Sequence, residues 1–347
     1  MKIALINDTH FGVRNDSGFF LEHSLNYYEN VFFPYIIENN ITEIIHLGDF
    51  FDRRKYINFN TLKEVRKRFL EKIPNNCNFH IIIGNHDTYF KNTNEVNSLK
   101  ELFRGYSNIS LYDTPTEIEI DGLKISLIPW INDTNSVEYV NYITSCSSSI
   151  LMGHLEIKGF EVISGVKHEI GLNRKVLEKF EMVISGHFHM KQSNKNIHYL
   201  GAQYQLNFGD VGCIKGYHVL DTATRELEFI ENESRLFHIL RYDDSILSEE
   251  ILDIDFAKYT NSFIKIIVKC KSKPFIFDKF IDKIYGLDTQ EISIVDDFTE
   301  KTENINIDIS EDTISLINKE IDTLHNDLNK DKLKVIIKNL YMEALLL

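Results

Sequence analysis

Residues 1 to about 230 alternate two patterns of apolar and polar positions. Short apolar or β-branched runs read as buried strands: KIALIN, EIIHL, FHIII, KISLIP, SSILM and EMVIS. Between them lie helix-compatible stretches at residues 22–39, 60–72 and 136–145. Strand, helix, strand is the rhythm of an α/β sheet. TEIEI and KISLI, split by Asp121-Gly122, predict an antiparallel hairpin, so the sheet is mixed. The rhythm resets around residues 231–240. SFIKIIVKC then predicts a strand, FIFDKFIDKIYG a helix and EISIV another strand, a small second α/β module. The polar, acidic stretch at 296–308 reads as a linker. Beyond it Ile314, Ile317, Ile321, Leu324 and Leu328 fall on one helical stripe, and Leu333, Ile336, Leu340, Ala344 and Leu347 on a second.

Five of the apolar runs end in residues able to bind metal. KIALIN leads into Asp8 and His10, EIIHL into Asp49 and Asp52, and FHIII into Asn85, His86 and Asp87. SSILM leads into His154, and EMVIS into His187 and His189. Ligands in open α/β sheets gather at the carboxyl ends of strands. In extended chain, residues two apart point the same way, so Asp8 with His10, and His187 with His189, can reach one ion. Glycines before Asp49, Asn85, His154 and His187 permit tight turns. Carboxylate, imidazole and amide oxygen without thiolate favour Mn, Fe or Zn. Two ions about 3.5–4 Å apart that share a ligand catalyse phosphoryl hydrolysis. A lone histidine beside a strand, such as His46 or His80, is ordinary; five such clusters in sequence are not.

Net charge narrows the partners. At −14, the chain does not coat nucleic acid through bulk positive charge. Metal ions bring their own charge, so an enzyme that grips phosphate through them remains open. The four cysteines form no CxxC pair and read as reduced thiols of a cytoplasmic protein. MKIALINDTH is too short an apolar run for a secretion signal, and no run reaches the roughly 18 residues that span a bilayer.

In the order D-x-H, G-D-x-x-D, G-N-H-D, G-H and G-H-x-H, residues 8–189 resemble the calcineurin-like metallophosphoesterase superfamily. The resemblance implies a two-sheet α/β sandwich flanked by helices, with a two-metal site at the strand ends. It implies that Asp8, His10, Asp49 and His189 hold one ion, and that Asp49, Asn85, His154 and His187 hold the other. His86 would face the scissile phosphate and stabilise charge or protonate the leaving oxygen, with Asp87 supporting the turn. In the phosphatase branch, the residue matching Asp52 orients this histidine and that matching Arg53 contacts phosphate. In cellular DNA-break nucleases the Asp52 position is often histidine. Asp52 is therefore expected to orient and polarise His86.

Later features resemble SbcD-type nucleases, including phage members of that group. After the G-H-x-H motif, YLGAQYQLNFGDVGCIKGYHVLD keeps Phe208, Gly209, Asp210, Lys215 and Gly216 of the pattern, while Ala202 and Gln203 replace the usual Ser-Pro. The resemblance implies a nuclease domain at 1–232, a small α/β DNA-capping domain at 233–297, and a linker with C-terminal helices at 298–347. It implies a DNA 3′-5′ exonuclease and endonuclease, with Mn²⁺ favoured and Mg²⁺, Fe²⁺ or Zn²⁺ open. The partners would be DNA, an SbcC-type SMC-like ATPase and a second copy of the chain, paired through residues 60–72 and 95–104. Lys265, Lys269, Lys271 and Lys273 could track a DNA backbone, and Leu333, Ile336, Leu340 and Leu347 could grip the ATPase. The alternative is a phosphatase or small-molecule phosphodiesterase, because GDFFDR resembles the phosphatase form of that motif.

Overall fold

The computed structural model describes residues 1–163, 165–246 and 249–297, with residues 321, 329, 330, 332–334, 336 and 337 of the tail. The chain separates into two compact units. The first comprises Met1–Ile163, Lys167–Leu206 and Cys213–Glu233; the second includes Asn207–Gly212 and the chain from Ser234.

The strands of the first unit are, in chain order, β1 (Lys2–Ile6), β2 (Glu43–His46), β3 (Asn78–Ile82), β4 (Ile109–Tyr112), β5 (Thr116–Ile120), β6 (Leu123–Ile128) and β7 (Ile150–His154). Two short strands follow, β8 (Glu161–Ile163) and β9 (Val166–Lys167), the second at the edge of the unit. Then come β10 (Met182–Gly186), β11 (Gln192–Asn194), β12 (Ile197–Tyr199), β13 (Lys215–Asp221) and β14 (Leu227–Asn232). Twelve of them build two mixed six-stranded sheets, ordered β14-β13-β1-β2-β3-β4 and β11-β12-β10-β7-β6-β5, and β8 pairs with β9 alone.

The continuous apolar runs have a direct cause. Ile3 and Leu5 of β1 pack with Ile45, Ile82, Ile125, Leu127, Ile150, Met152 and Ile184 in the core between the sheets. Ala4 and Ile6 turn the other way and join Ile44, Phe79, Ile81, Leu25 and Phe32 in the core beneath the helices. A strand covered on both faces has no polar side to alternate with. The expected helix at 22–39 begins earlier, as Gly18–Tyr27, and passes through a π turn at Tyr28–Phe32 into Phe33–Glu38. The helix Phe59–Arg68 starts at Asn58, whose side chain accepts from Asn60 N and Thr61 N. The hairpin is present: Asp121 (φ 53°) and Gly122 (φ 73°) are both left-handed, as a type I′ turn requires.

The second unit holds a parallel three-stranded sheet, β15 (Phe237–Asp243), β16 (Phe263–Cys270) and β17 (Glu291–Asp296). The helix Pro274–Tyr285 covers one face, burying Phe277, Phe280 and Ile284 with Tyr242, Ile264, Ile266 and Val268. In the tail, Ile321 is buried, Leu333 is half-buried and Ile336 is exposed, whereas Leu340 and Leu347 lie outside the described residues. Among the described residues no helix is long and apolar enough to cross a membrane.

Candidate active site and metal centre

The five polar clusters follow strands of both sheets. Asp8, Asp49 and Asn85 follow β1, β2 and β3, which are parallel neighbours. His154 closes β7 and His187 follows β10, its parallel neighbour in the other sheet. Glycine lets these ends approach. A Cβ on Gly48 would lie 2.7 Å from Gly84 N and from His154 Nδ1, and one on Gly84 would lie 2.2 Å from Asp49 Oδ1. Of the four glycines expected to make tight turns, only Gly48 (φ +88°) has a left-handed backbone; Gly84, Gly153 and Gly186 instead provide room.

The strain sits on the ligand-type residues. Asp8 (φ 48°), His10 (φ 43°), Asp49 (φ 57°) and His187 (φ 88°) are left-handed. The extended-chain explanation of the D-x-H and H-x-H spacings is therefore corrected: the chain leaves extended geometry as each strand ends. Each such residue costs on the order of 1 kcal/mol or more and persists only where its surroundings hold it. Here Asp8 N donates to Gly48 O (3.0 Å), His10 N to Asp49 O (3.2 Å) and His187 N to Asp8 Oδ2 (3.0 Å).

Among the described residues, three overlapping groups hold ligand atoms within 4.8 Å of one another: Asp8–His10–His189, His10–Asp49–His86 and Asp49–His154–His187. Asn85 Oδ1 lies 2.9 Å from His154 Nε2 and 3.0 Å from His187 Nδ1. His10 Nε2 faces His189 Nε2 at 3.2 Å. Asp49 Oδ2 stands 3.3 Å from His154 Nε2 and 3.7 Å from His10 Nε2, between the two ligand sets. Except for the half-buried His189, these side chains are almost fully buried, yet their lone pairs converge on one another. Two imidazole nitrogens facing at 3.2 Å beside two carboxylates form a donor set that suits divalent cations of the Mn, Fe and Zn type.

The electrostatics express the same crowding. Burial pushes His187 down to about 3 and lowers His189 and His86. Burial also opposes protonation of His10 and His154, but Asp52 and Asp49 lift His10 to about 9, and Asp49 lifts His154 to about 9. Asp8 is pushed up to about 6 by burial. Asp49 is held well below the carboxylate range against burial, by the imidazoles it faces, His154 foremost.

His86 lies beside this cluster, its ring 4.7 Å from that of His10, and its backbone N–H donates to Asp49 Oδ1 (2.7 Å). Its Nδ1 meets the backbone carbonyl of Asp52 at 2.5 Å. The Asp52 carboxylate lies 3.2 Å from His10 Nδ1. Asp52 thus meets His86 through its backbone carbonyl, and its side chain also stands beside His10. Arg53 pairs with Asp16 Oδ2 (2.9 Å) and Asn15 and lies over the Tyr56 ring. The neighbouring Arg54 donates to Thr88 Oγ1 (3.1 Å), and burial lowers its pKa despite the charges of Asp49 and Asp87.

Asp87 is the framework of the site. Its carboxylate accepts from the backbone N–H groups of Gly84 (2.9 Å), Asp49 (2.9 Å), Phe50 (3.0 Å) and Phe51 (3.4 Å). It joins the two ligand loops that follow β2 and β3. Lys215 and Gln203 also have structural tasks. Lys215 Nζ donates to His189 O (2.7 Å) from a fully buried position. Gln203 accepts from Tyr28 Oη (3.0 Å) and reaches Asn7 Oδ1 (3.5 Å), while Asn7 Nδ2 donates to Asp8. The departure from Ser-Pro thus places an amide in a buried chain leading to Asp8.

The four lysines of the second unit do not share one face. Ile264, Ile266 and Val268 lie under the helix, which leaves Lys265 and Lys269 on the opposite face of β16. Lys265 lies over Phe208 and Lys269 is 3.9 Å from Asp243. Lys271 instead leans on Phe277 of the helix, 3.9 Å from the ring centre, and Lys273 is exposed at the helix start.

The sequence pattern of calcineurin-like phosphoesterases matches residues 1–191, more than half of the chain. The chain is 29% identical to exonuclease subunit 1 of Enterobacteria phage T4 over 347 residues, 99% of each protein. Among solved structures, an archaeal phosphodiesterase is similar at 19% identity and a TM-score of 0.36, covering 67% of this chain and 100% of that one.

Proposed function

The chain belongs to the calcineurin-like phosphoesterase family, and from that premise we propose that it is a two-metal DNA nuclease. It would act as a 3′-5′ exonuclease and endonuclease, in the cytoplasm, during double-strand-break processing and recombination. The observation that carries this reading is the convergence of Asp8, His10, Asp49, Asn85, His154, His187 and His189 around one buried cluster, with His86 at its edge. The near full-length likeness to a phage exonuclease subunit supports DNA as substrate and a second subunit as partner.

Asp8, His10, Asp49 and His189 would hold one ion, and Asp49, Asn85, His154 and His187 the other, with Mn²⁺ favoured. Bound divalent ions supply charge neutralisation at the phosphate and a lower pKa for the attacking water. The chain supplies the rest. His86 keeps Nδ1 on the Asp52 carbonyl and, when protonated, gives its Nε2 proton to the leaving oxygen. Asp87 fixes the relative height of Asp49 and Asn85 by gripping both loops. Asp52 braces His10.

In this reading residues 1–232 form the nuclease domain, 233–297 cap the DNA, and 298–347 bind an SbcC-type SMC-like ATPase. Lys265, Lys269, Lys271 and Lys273 contact the DNA backbone, and Leu333, Ile336, Leu340 and Leu347 contact the ATPase. A second copy would pair along 60–72 and 95–104; the 88% exposure of Phe59 on the first of these helices supports that surface.

The test sets an end-labelled DNA duplex beside a small chromogenic phosphomonoester, each with the purified chain and Mn²⁺, and then with the ATPase and ATP added. Degradation of the duplex supports the nuclease. Phosphomonoester turnover with an intact duplex under both conditions would move the protein to the phosphatase branch.

A further inference from the structure

We infer that Glu156 is a positioning residue for one of the two ion pockets, holding His187 with Nδ1 turned toward the ion. This rests on the two-metal reading above. His187 Nδ1 lies 3.0 Å from Asn85 Oδ1, on the ligand side of the ring. Its Nε2 points the other way, is buried and has no hydrogen-bond partner among the described residues. The carboxylate facing that nitrogen is Glu156, with Oε1 at 4.0 Å. A metal-bound imidazole normally presents its second nitrogen to such an acceptor, which fixes tautomer and ring orientation.

Glu156 is itself held in place. His168 Nε2 lies 2.9 Å from the same Oε1. The main chain on both sides of Glu156 is pinned by Tyr199, whose hydroxyl donates to Leu155 O (2.8 Å) and accepts from Ile157 N (3.0 Å). Glu156 O accepts from Leu172 N at 2.7 Å, and His168 N donates to Phe160 O at 2.7 Å. A Cβ on Gly171 would lie 2.3 Å from Glu156 O, so glycine permits this close packing. The ring of His187 is fixed from the sides by Trp130 (5.2 Å) and Phe188 (4.9 Å).

Two of the other ligand histidines also present their second nitrogen to an oxygen. His10 turns Nδ1 to the Asp52 carboxylate, and His154 turns Nδ1 to Leu47 O. Each pocket thus has its own carboxylate behind a histidine: Asp52 for the Asp8–His10–His189 group and Glu156 for the Asp49–His154–His187 group. Removing one carboxylate should weaken one ion more than the other.

The chain carries a reporter for one pocket. Trp130 is the single tryptophan, and its ring lies 5.2 Å from His187 and 6.0 Å from His154. Paramagnetic Mn²⁺ quenches indole fluorescence at short range. The experiment titrates Mn²⁺ into the metal-free full chain and follows Trp130 emission for wild type, Glu156→Gln and Asp52→Asn, without DNA. Glu156→Gln is expected to weaken the reported affinity about 10- to 100-fold, the range typical of lost outer partners of metal ligands. Asp52→Asn is expected to shift it less than Glu156→Gln does. The melting temperature of metal-free Glu156→Gln should match wild type, separating ligand positioning from loss of fold. If that variant does not fold, His168→Asn leaves Glu156 unbraced and should weaken binding in the same direction. Wild-type affinity in a folded Glu156→Gln chain, or equal loss in both carboxylate variants, would overturn the assignment. Absence of any Mn²⁺-dependent change in wild type, by emission and by direct ion counting, would overturn the two-metal reading and this inference with it.

Discussion

The two compact units bury polar groups for opposite ends. The second unit buries the carboxylate of Asp244 and satisfies it completely. It accepts from Ser272 N (2.8 Å), Ser272 Oγ (2.7 Å), Lys273 N (2.7 Å) and Tyr242 Oη (3.1 Å), tying the chain after β15 to the start of the helix. The first unit buries Asp8, Asp49, His10, His154 and His187 so that ligand atoms face ligand atoms, on left-handed backbone at four of these five positions. A fully satisfied buried charge is scaffold; a strained cluster of converging lone pairs is a candidate binding centre. Asp87 shows that proximity does not decide the matter. It lies within the site, yet four backbone donors satisfy its carboxylate as donors satisfy Asp244, although burial and the neighbouring Asp49 push the Asp87 pKa up to about 7 where that of Asp244 is held low.

The largest effects should fall on the converging cluster. Asp49→Asn removes the carboxylate between the two ligand sets, and both DNA cleavage and Mn²⁺ stoichiometry should fall. His86→Ser should lose about 10²- to 10⁴-fold in cleavage rate while Mn²⁺ binding stays at the wild-type level. Single-turnover rates and ion counting on the same preparations check both, and loss of ions in His86→Ser would make it a ligand.

Asp87→Ala probes the scaffold within the site. It leaves four buried N–H groups without their acceptor, so a stability loss of about 3 kcal/mol is expected, read from denaturant unfolding. A variant with wild-type stability that lost only catalysis would erase the distinction between scaffold and reagent.

Asp244 offers a pH test in the second unit. Burial would raise its pKa, but the hydrogen bonds from Ser272, Lys273 and Tyr242 outweigh that and hold it low. A carboxyl depressed on folding contributes stability above its unfolded pKa of about 3.9, and loses it as pH falls toward the folded value. Melting of the second unit should therefore become less sensitive to acid in Asp244→Asn, with Mn²⁺ binding unchanged. Equal acid sensitivity in both chains would remove this role.

The smallest effects belong to the lysines. Replacing Lys265 or Lys269 with Gln should weaken DNA binding modestly and lower the salt dependence by about one counterion each. An unchanged salt slope would leave them as solvated surface.

Much of the first unit was legible because its central strands are covered on both faces. That burial writes unbroken apolar runs such as IALI and EIIH, and the polar residues after them stand out. Strand β4 and the pair β11 and β12 were not legible, because they are short and partly exposed or polar, with no continuous apolar run. Asp8, His10, Asp49, Asn85, His154, His187 and His189 were legible as types but not as geometry. The left-handed backbone of Asp8, His10, Asp49 and His187 depends on partners such as Gly48 O, which no local pattern encodes. Arg54 and Glu156 gave no signal, and Gln203 showed only as a departure from Ser-Pro, for the same reason: each acquires its role from residues distant in sequence.

The most direct test of the two-ion centre is the number of Mn²⁺ ions bound per full chain, measured together with the electron paramagnetic resonance spectrum. Two ions with an exchange-coupled spectrum, reduced in Asp49→Asn, are the expected result. A single ion, or two ions with uncoupled spectra unaffected by Asp49→Asn, would contradict a shared centre bridged by that carboxylate.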